Sequence, residues 1–172
     1  MTKRKLKFVL ILLFIGLAGY LVPEKIIIPV ERASVSDWNP DSFWYEPWGK
    51  SAVHKGIDIF GAKGVGLNSS THGLVLYTGL LNLGGNVVLI LGPKWKLHYY
   101  AHLDKISIDK FDMVSAGERI GTVGDSGNAK GKPPHLHYSI VTVLPYFWRV
   151  DTTTQGWKKM FFLNPGYEIR KL

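Results

Sequence analysis

Two of the six histidines, His135 and His137, are spaced so that both imidazoles can contact the same bound group. They lie in segment 134–140, where polar and apolar residues alternate after a proline pair. This alternation predicts a β-strand, in which residues two apart point to the same face, about 6 to 7 Å from each other. One imidazole can therefore bind a metal ion while the other contacts whatever the metal holds.

A second motif, His54 followed four residues later by Asp58, offers two further metal ligands. Gly56 and the β-branched Ile57 and Ile59 favour extended chain over helix. In a straight strand His54 and Asp58 would lie about 13 Å apart, so the chain must bend between them, and Gly56 permits the bend. With one histidine of the predicted 134–140 strand, these two side chains would form a three-ligand zinc site with an open fourth position.

A third segment, 95–103, is predicted to be a strand in which His98, Tyr100 and His102 share one face. His102 is the candidate for a second catalytic histidine beside the metal. His98 is a lesser candidate for the same site. His72, which precedes a glycine, is interpreted as a turn residue.

The elements that must position these side chains are predicted to be β-strands. Segments 74–77 and 86–91 are strand-like, and the loop between them ends in two glycines. The glycine-rich segment 124–131 lacks the Gly-Lys-Ser/Thr ending of a phosphate loop and precedes a strand, so it is interpreted as a mobile loop beside the 134–140 strand. With 172 residues, 46% of them hydrophobic, the chain can bury one core, and we expect one mainly β domain.

The amino-acid composition limits the metal ligands and the binding partners that the chain can have. The chain has no cysteine, which excludes disulfides, thiolate metal sites and a cysteine nucleophile, so a metal must bind histidines and carboxylates. The formal charge is +8, of which +4 remains once Lys3, Arg4, Lys5 and Lys7 are set aside. This mildly basic remainder suits either an ordinary solvated surface or an anionic polymer such as a cell wall. Nucleic acid is not expected as a partner, because it favours a dense stripe of Lys and Arg.

The N-terminal segment 1–23 combines this basic start with an uncharged, mainly apolar run over 8–22. As a helix, fifteen residues cover about 22 Å, short of the ~30 Å hydrocarbon core, although a snorkelling Lys7 would extend it. We favour a retained membrane anchor over a cleaved signal peptide, since no clear cleavage site is present, and over the buried helix of a cytoplasmic protein. An anchor or a signal peptide would each place the following domain outside the cytoplasm.

Segment 24–48 is interpreted as a connector that wraps onto a domain covering residues 49–172. It has three prolines, little periodicity and a group of aromatic residues. Those aromatics would either cover the core or form a platform for a substrate. A connector lying over the groove would make the protein latent, and the sequence leaves this question open.

Four motifs occur in one order and carry a family resemblance. They are His54-x-x-x-Asp58 flanked by Gly49 and Gly61, Tyr100-Ala101-His102-Leu103, Ile120-Gly121-Thr122-Val123-Gly124, and His135-Leu136-His137. Together they resemble the M23 family of zinc metallopeptidases, of the lysostaphin and LytM type, which cut peptides of bacterial peptidoglycan. The resemblance implies a mostly antiparallel β fold, one Zn²⁺ bound by His54, Asp58 and His137, and two catalytic histidines that are not ligands, His102 and His135.

The chain also departs from the family pattern. Phe111 stands where the family usually has a turn glycine, so that turn is predicted to be built differently. Ser139 replaces a frequent acid two residues after His137, which would alter the groups around the metal ligands. Segment 43–48 stands where the family has a Phe-Gly-x-Arg segment, so the substrate contacts are expected to differ more than the metal site does.

These observations predict a zinc endopeptidase of the cell envelope that acts on peptidoglycan peptides. No His-Glu-x-x-His motif is present to supply a glutamate as general base, so an imidazole is expected to act as the general base. His135 would assist or deprotonate the zinc-bound water, and His102 would stabilise the oxyanion, although the sequence does not decide which takes the proton. The alternatives are a catalytically silent envelope module that binds or activates another hydrolase, and a different metal-dependent hydrolase or zinc-storage protein.

Overall fold

The protein is described by a computed structural model covering residues 2–171, apart from the side chains of residues 12, 13 and 15. Residue 1 of the predicted N-terminal segment and residue 172 of the predicted domain lie outside the described residues. In the described chain there are two helices, α1 (Lys3–Leu21) and α2 (Pro165–Arg170), and nine strands. The strands are β1 (Ile57–Phe60), β2 (Gly66–Asn68), β3 (Gly73–Leu81), β4 (Gly85–Leu91), β5 (Lys96–Ile106), β6 (Met113–Val114), β7 (Arg119–Val123), β8 (His135–Thr142) and β9 (Phe162–Leu163).

The strands form one antiparallel sheet in the order β1-β8-β5-β4-β3-β6. Strand β7 pairs with the far end of β5 and with β2, and β9 pairs with β8. Five short 3-10 turns, at Gly49–Ser51, Pro93–Trp95, Gly127–Ala129, Phe147–Arg149 and Gly156–Met160, connect these elements. The mainly antiparallel β fold predicted from the sequence is therefore confirmed.

The centre of the sheet brings three of the predicted motifs together. Strand β8 lies between β1 and β5, and its His137 is opposite Asp58 on one side and Ala101 on the other. His135 is opposite Phe60 of β1. Because residues two apart on a strand point to one face, both imidazoles project from the same side of β8, as the alternation predicted.

Strand β5 carries a β-bulge that the sequence did not reveal. Leu103 pairs with Asn86 and Tyr100 pairs with Val88, so Ala101 and His102 together oppose the single residue between those partners. His102 has φ 69°, and the extra residue turns its side chain to the opposite face from Tyr100. The prediction that His98, Tyr100 and His102 share one face is therefore wrong, because strict alternation breaks at a bulge.

The core lies on the face of the sheet away from these imidazoles. It is built from β-branched, leucine and aromatic side chains of the central strands, joined by three residues of segment 24–48. Its members are Ile26, Val30, Trp38, Ile57, Ile59, Leu67, Val75, Val88, Ile90, Tyr100, Leu103, Val114, Ile120, Val123, Leu136, Tyr138, Ile140 and Leu163. Hence segment 24–48 does more than link two parts of the chain, since it supplies part of the interior.

Helix α1 packs against the turn that precedes β5. The Trp95 indole N–H donates to the carbonyl oxygen of Gly16 at 2.8 Å, and a Cβ on Gly19 would meet the same indole at 2.2 Å. The glycine therefore lets the Trp95 ring lie against the helix backbone.

Among the residues that the structure describes, no helix combines the length and the apolar character needed to cross a membrane. The membrane anchor expected in residues 1–23 is thus not confirmed.

Candidate metal centre and cleft

Three donor atoms from His54, Asp58 and His137 converge at the centre of the sheet. His54 Nε2 lies 3.1 Å from Asp58 Oδ1 and 3.0 Å from His137 Nδ1, and the third side of the triangle, from His137 Nδ1 to Asp58 Oδ1, is 2.8 Å. Donors bound to one tetrahedral zinc ion are about 3.3 Å apart. The three groups are therefore close to the separation that a single small cation requires, and they are the cluster in the described chain that could hold one.

The geometry around Gly56 makes this triangle possible. The chain bends between His54 and Asp58, as predicted, but Gly56 is not among the glycines with positive φ. A Cβ on Gly56 would instead lie 2.5 Å from the Tyr138 carbonyl oxygen and 2.9 Å from His137 Cε1. The predicted reason for this glycine was backbone freedom, whereas the observed reason is the close approach of β8.

Hydrogen bonds on the far side of two imidazoles fix which nitrogen faces the triangle. The N–H at His54 Nδ1 donates to the Ser42 carbonyl oxygen at 2.9 Å, which leaves Nε2 without a proton when the ring is neutral. His137 Nε2 lies 3.0 Å from Ser139 Oγ, and a donated hydrogen bond there would leave Nδ1 bare. Ser139 thus occupies the position where the family's frequent acid was expected, with a hydroxyl in contact with the His137 ring.

The charges in the triangle favour a cation. Burial raises the pKa of Asp58, but its contacts with the His137 and His54 imidazoles outweigh burial and hold that pKa well below its usual range. Burial lowers the pKa of His137, although Asp58 opposes this change. The ionised carboxylate and the imidazole nitrogens with free lone pairs can all bind a metal ion. Nitrogen and oxygen ligands of these types are the ones that zinc binds in proteins without thiolates.

Two further imidazoles, His102 and His135, flank this triangle. Their ring centroids are 5.1 Å apart, and the His102 ring lies 6.1 Å from that of His137. His135 Nε2 is 3.9 Å from Asp58 Oδ2. Both residues are buried, and these distances show that the structure brings all five predicted site residues into one cluster.

Backbone carbonyls orient this second pair. The N–H at His102 Nδ1 donates to the Ser126 carbonyl oxygen at 2.9 Å, and that at His135 Nδ1 donates to the Pro133 carbonyl oxygen at 2.8 Å. Each neutral ring therefore keeps an Nε2 that can accept a proton. Burial is the main cause that lowers the pKa of His102 to about 4.

The five side chains line a cleft of about 810 Å³. Trp48 forms part of its wall and stacks on His54 with ring centroids 4.0 Å apart. Of the aromatics in segment 24–48, Trp38 and Phe43 pack with the core, as one of the two predicted roles required, and Trp48 borders the cleft. From this segment Pro47 and Trp48 line the cleft wall.

The other histidines lie elsewhere. His98 is completely buried on the core face, with Nδ1 2.7 Å from the Tyr138 hydroxyl, and His72 is not part of the cleft lining. Sequence reasoning missed the carbonyls of Ser42, Ser126 and Pro133, since any residue type can supply a carbonyl. It also placed segment 124–131 in a mobile loop, whereas the Ser126 hydroxyl donates to the Leu103 carbonyl oxygen at 2.7 Å and ties that loop to β5.

Known proteins resemble this chain in amino-acid sequence. The L-Ala--D-Glu endopeptidase of Bacillus subtilis (strain 168) is 34% identical over 61% of this chain and 35% of its own length. Peptidoglycan DD-endopeptidase ShyA of Vibrio cholerae is 37% identical over 52% of this chain and 20% of its own length. The murein hydrolase activator NlpD of Salmonella dublin is 34% identical over 60% and 27%. The chain thus spans about a third or less of these relatives.

Solved structures show the same fold. The catalytic domain of lysostaphin from Staphylococcus simulans superposes with a TM-score of 0.63 at 21% identity, covering 81% of this chain and 99% of that domain. A zinc containing peptidase from Vibrio cholerae superposes with a TM-score of 0.56 at 27% identity, covering 68% and 37%. The fold is therefore that of known peptidase domains.

The family model for peptidase family M23 matches residues 52–146, which span every strand from β1 to β8 and all five clustered side chains. The family resemblance predicted from four short motifs is confirmed, and the chain belongs to peptidase family M23.

Proposed function

We propose that this protein is a zinc-dependent endopeptidase that hydrolyses peptide bonds in bacterial peptidoglycan. The observation that carries the proposal is the convergence of His54, Asp58 and His137 within 3.1 Å of one another, with His102 and His135 beside them in an open cleft. Two relatives of this chain are peptidoglycan or peptide endopeptidases by name, which supports the choice of substrate.

In this proposal His54 Nε2, Asp58 Oδ1 and His137 Nδ1 hold one zinc ion. The donor set fits, since it contains two imidazoles and one ionised carboxylate and no thiolate. Zinc bound there would polarise the scissile carbonyl and lower the pKa of a bound water towards ~7.

His102 and His135 carry out the proton transfers. Each presents a bare Nε2, because its Nδ1–H is engaged with a backbone carbonyl. Nε2 of either ring can take the proton of the attacking water, and the imidazolium that results can donate to the oxyanion or to the leaving amine. With its pKa lowered to about 4, His102 is neutral at pH 7 and able to accept.

We further propose that the protein works in the cell envelope, on the outer side of the cytoplasmic membrane. The basic residues before the apolar run of α1 support export with retention by an N-terminal anchor or removal of a signal peptide. On this proposal residues 1–23 direct the chain to the envelope and residues 49–172 form the metallopeptidase domain. Segment 24–48 links the two and also adds Ile26, Val30 and Trp38 to the core of that domain.

The test uses the full chain on purified sacculi, with bound zinc verified by metal analysis. Mass spectrometry of the soluble fraction should find fragments cut within peptides, and these should disappear with a chelator or with Asp58→Ala. A zinc-loaded protein that releases no fragment from any sacculus preparation would overturn the proposal.

A second candidate is a non-enzymatic activator of another cell-wall hydrolase, favoured by the 34% identity to a protein named as a murein hydrolase activator. The same assay separates the two functions. An activator would release nothing alone, would increase release by an added hydrolase, and would retain that effect in Asp58→Ala.

A further inference from the structure

The cleft around the five clustered side chains is lined by more positively charged than negatively charged side chains. Three lysines line it, Lys50, Lys55 and Lys132. The one carboxylate in the lining is Asp58, whose oxygen is engaged with two imidazoles. Any charged group that enters the cleft therefore meets positive charge that no neighbouring acid in the lining balances.

Ion pairing distinguishes these three lysines from four others of the described chain, Lys63, Lys94, Lys96 and Lys159. Within residues 2–171, none of the three forms an ion pair with a carboxylate. By contrast, Lys63 contacts Asp104 and Asp125, and Lys96 contacts Glu24 and Glu168. The charges of the three cleft lysines are thus not neutralised by a carboxylate of the described chain, and they are available to a bound ligand.

A hydrogen bond gives Lys55 a fixed place at the cleft wall. Its ammonium group donates to the Ser51 carbonyl oxygen at 2.9 Å, which holds it at the cleft wall beside His54. Its positive charge therefore lies at the cleft wall, where a carboxylate of a bound peptide can contact it.

We propose that the cleft selects acidic peptides, with Lys55 and Lys132 as the residues that recognise free carboxylates close to the scissile bond. This rests on the proposed function and adds the substrate class: peptides bearing free carboxylates, in preference to neutral chains such as glycine bridges. Complementary charge raises the encounter rate with such peptides and disfavours amidated or uncharged competitors.

The test compares matched peptides. The peptide cut in the sacculus digest is synthesised with its carboxylates free or amidated, and kcat/KM is measured for the zinc-loaded full chain, for Lys55→Gln, for Lys132→Gln and for the double variant. The free acid should be cut at least about tenfold faster in kcat/KM than the amide by the native chain, with the ratio falling towards one in the double variant. Added salt should reduce the same ratio.

Lys105→Gln is the matched control, since it removes the same charge from an exposed position outside the cleft lining. It should keep the native acid-to-amide ratio. Zinc content and melting temperature of each variant report whether it is folded and loaded.

Equal cleavage of acid and amide by the native chain would overturn the inference and leave the endopeptidase standing. The same holds if the double variant keeps the native ratio. A zinc-loaded native chain that releases no fragment from sacculi would overturn both proposals.

Discussion

The two faces of β5 carry histidines with opposite environments. His98 points into the core, where it is completely buried against Tyr138 and the structure gives its Nε2 no hydrogen-bond partner among the described residues. His102, four residues later, points into the cleft and contacts two other imidazoles. Residue type and strand are the same for both, so the difference arises from the backbone between them.

That backbone difference is the bulge at Ala101 and His102. Without it, residues 98 and 102 would share a face, and His102 would be in the core beside Tyr100. One extra residue thus converts a buried histidine position into a site position. The cost is a histidine at φ 69°, in the left-handed region, where a non-glycine residue is disfavoured by about 1 kcal/mol or more.

The largest expected effect is the loss of zinc binding, which should follow changes on the cleft face of the sheet and not a change on its core face. His54→Ala, Asp58→Ala or His137→Ala should abolish both zinc binding and peptide cleavage, because two ligands do not make a stable site. His98→Gln removes an imidazole from the opposite face and should retain stoichiometric zinc and cleavage. Metal analysis of the purified proteins and the sacculus assay measure the two outcomes, and zinc lost equally from His98→Gln would contradict the assignment of faces.

Next in size are the two imidazoles beside the metal. His102→Ala and His135→Ala should each lower kcat/KM by about 10²- to 10⁴-fold, the range typical of a lost general acid or base. Neither should release zinc, since neither is placed as a ligand. Comparing zinc content with kcat/KM in the same preparation tests this, and an Ala variant that loses its metal would make that histidine a ligand.

Ser139 should have a smaller effect through His137. Its hydroxyl lies 3.0 Å from Nε2 of the ring, so Ser139→Ala removes the group that orients the ligand. Zinc affinity, measured by competition with a chelating dye, should fall about 10- to 100-fold. Ser107→Ala, at an exposed position, is the matched control, and an equal loss in both variants would exclude an effect specific to the site.

The core histidine should instead affect stability against pH. Burial, with Lys96 adding, lowers the pKa of His98 in the folded chain to about 3, below its value in the unfolded chain. As pH falls through ~6.5, the unfolded chain binds a proton that the folded chain excludes, so stability decreases down to about pH 3. The contribution is about 1 kcal/mol between pH 6 and pH 5.

Chemical denaturation of the metal-free proteins isolates this term, since zinc release then contributes nothing. The free energy of unfolding should fall less steeply between pH 6 and pH 5 in His98→Gln than in the native chain. Parallel curves for the two proteins would show that His98 is protonated in the folded state.

Much of this arrangement could be predicted from the sequence because it depends on local pattern. The alternation around His135 and His137 determined their common face, and four ordered motifs determined the family. The bulge could not be predicted, because it depends on the pairing of β5 with β4. For the same reason, the bend at Gly56 was predicted correctly but explained wrongly. The glycine is needed because atoms of β8 lie too close for a side chain.

The departures from the family pattern show the same limit. Phe111 was expected to change its turn, yet it takes φ 77°, in the left-handed region that glycine favours, and its N–H donates to the Val75 carbonyl oxygen at 2.8 Å. Contacts with β3 hold this turn, so residue preference alone did not determine its conformation. The carbonyls that orient the site histidines likewise depend on tertiary placement and leave no mark on residue type.

The smallest expected effect tests whether the bulge carries strain at His102. Both His102→Gly and His102→Ala remove the imidazole and should be equally inactive, but glycine accepts φ 69° without steric cost and alanine does not. The glycine variant should therefore be the more stable of the two, by up to about 1 kcal/mol after its greater unfolded-state entropy is allowed for. Paired denaturation curves measure this difference. An alanine variant as stable as the glycine variant would mean that the backbone relaxes once the imidazole is gone, so that the side chain's hydrogen bond to Ser126 holds the bulge.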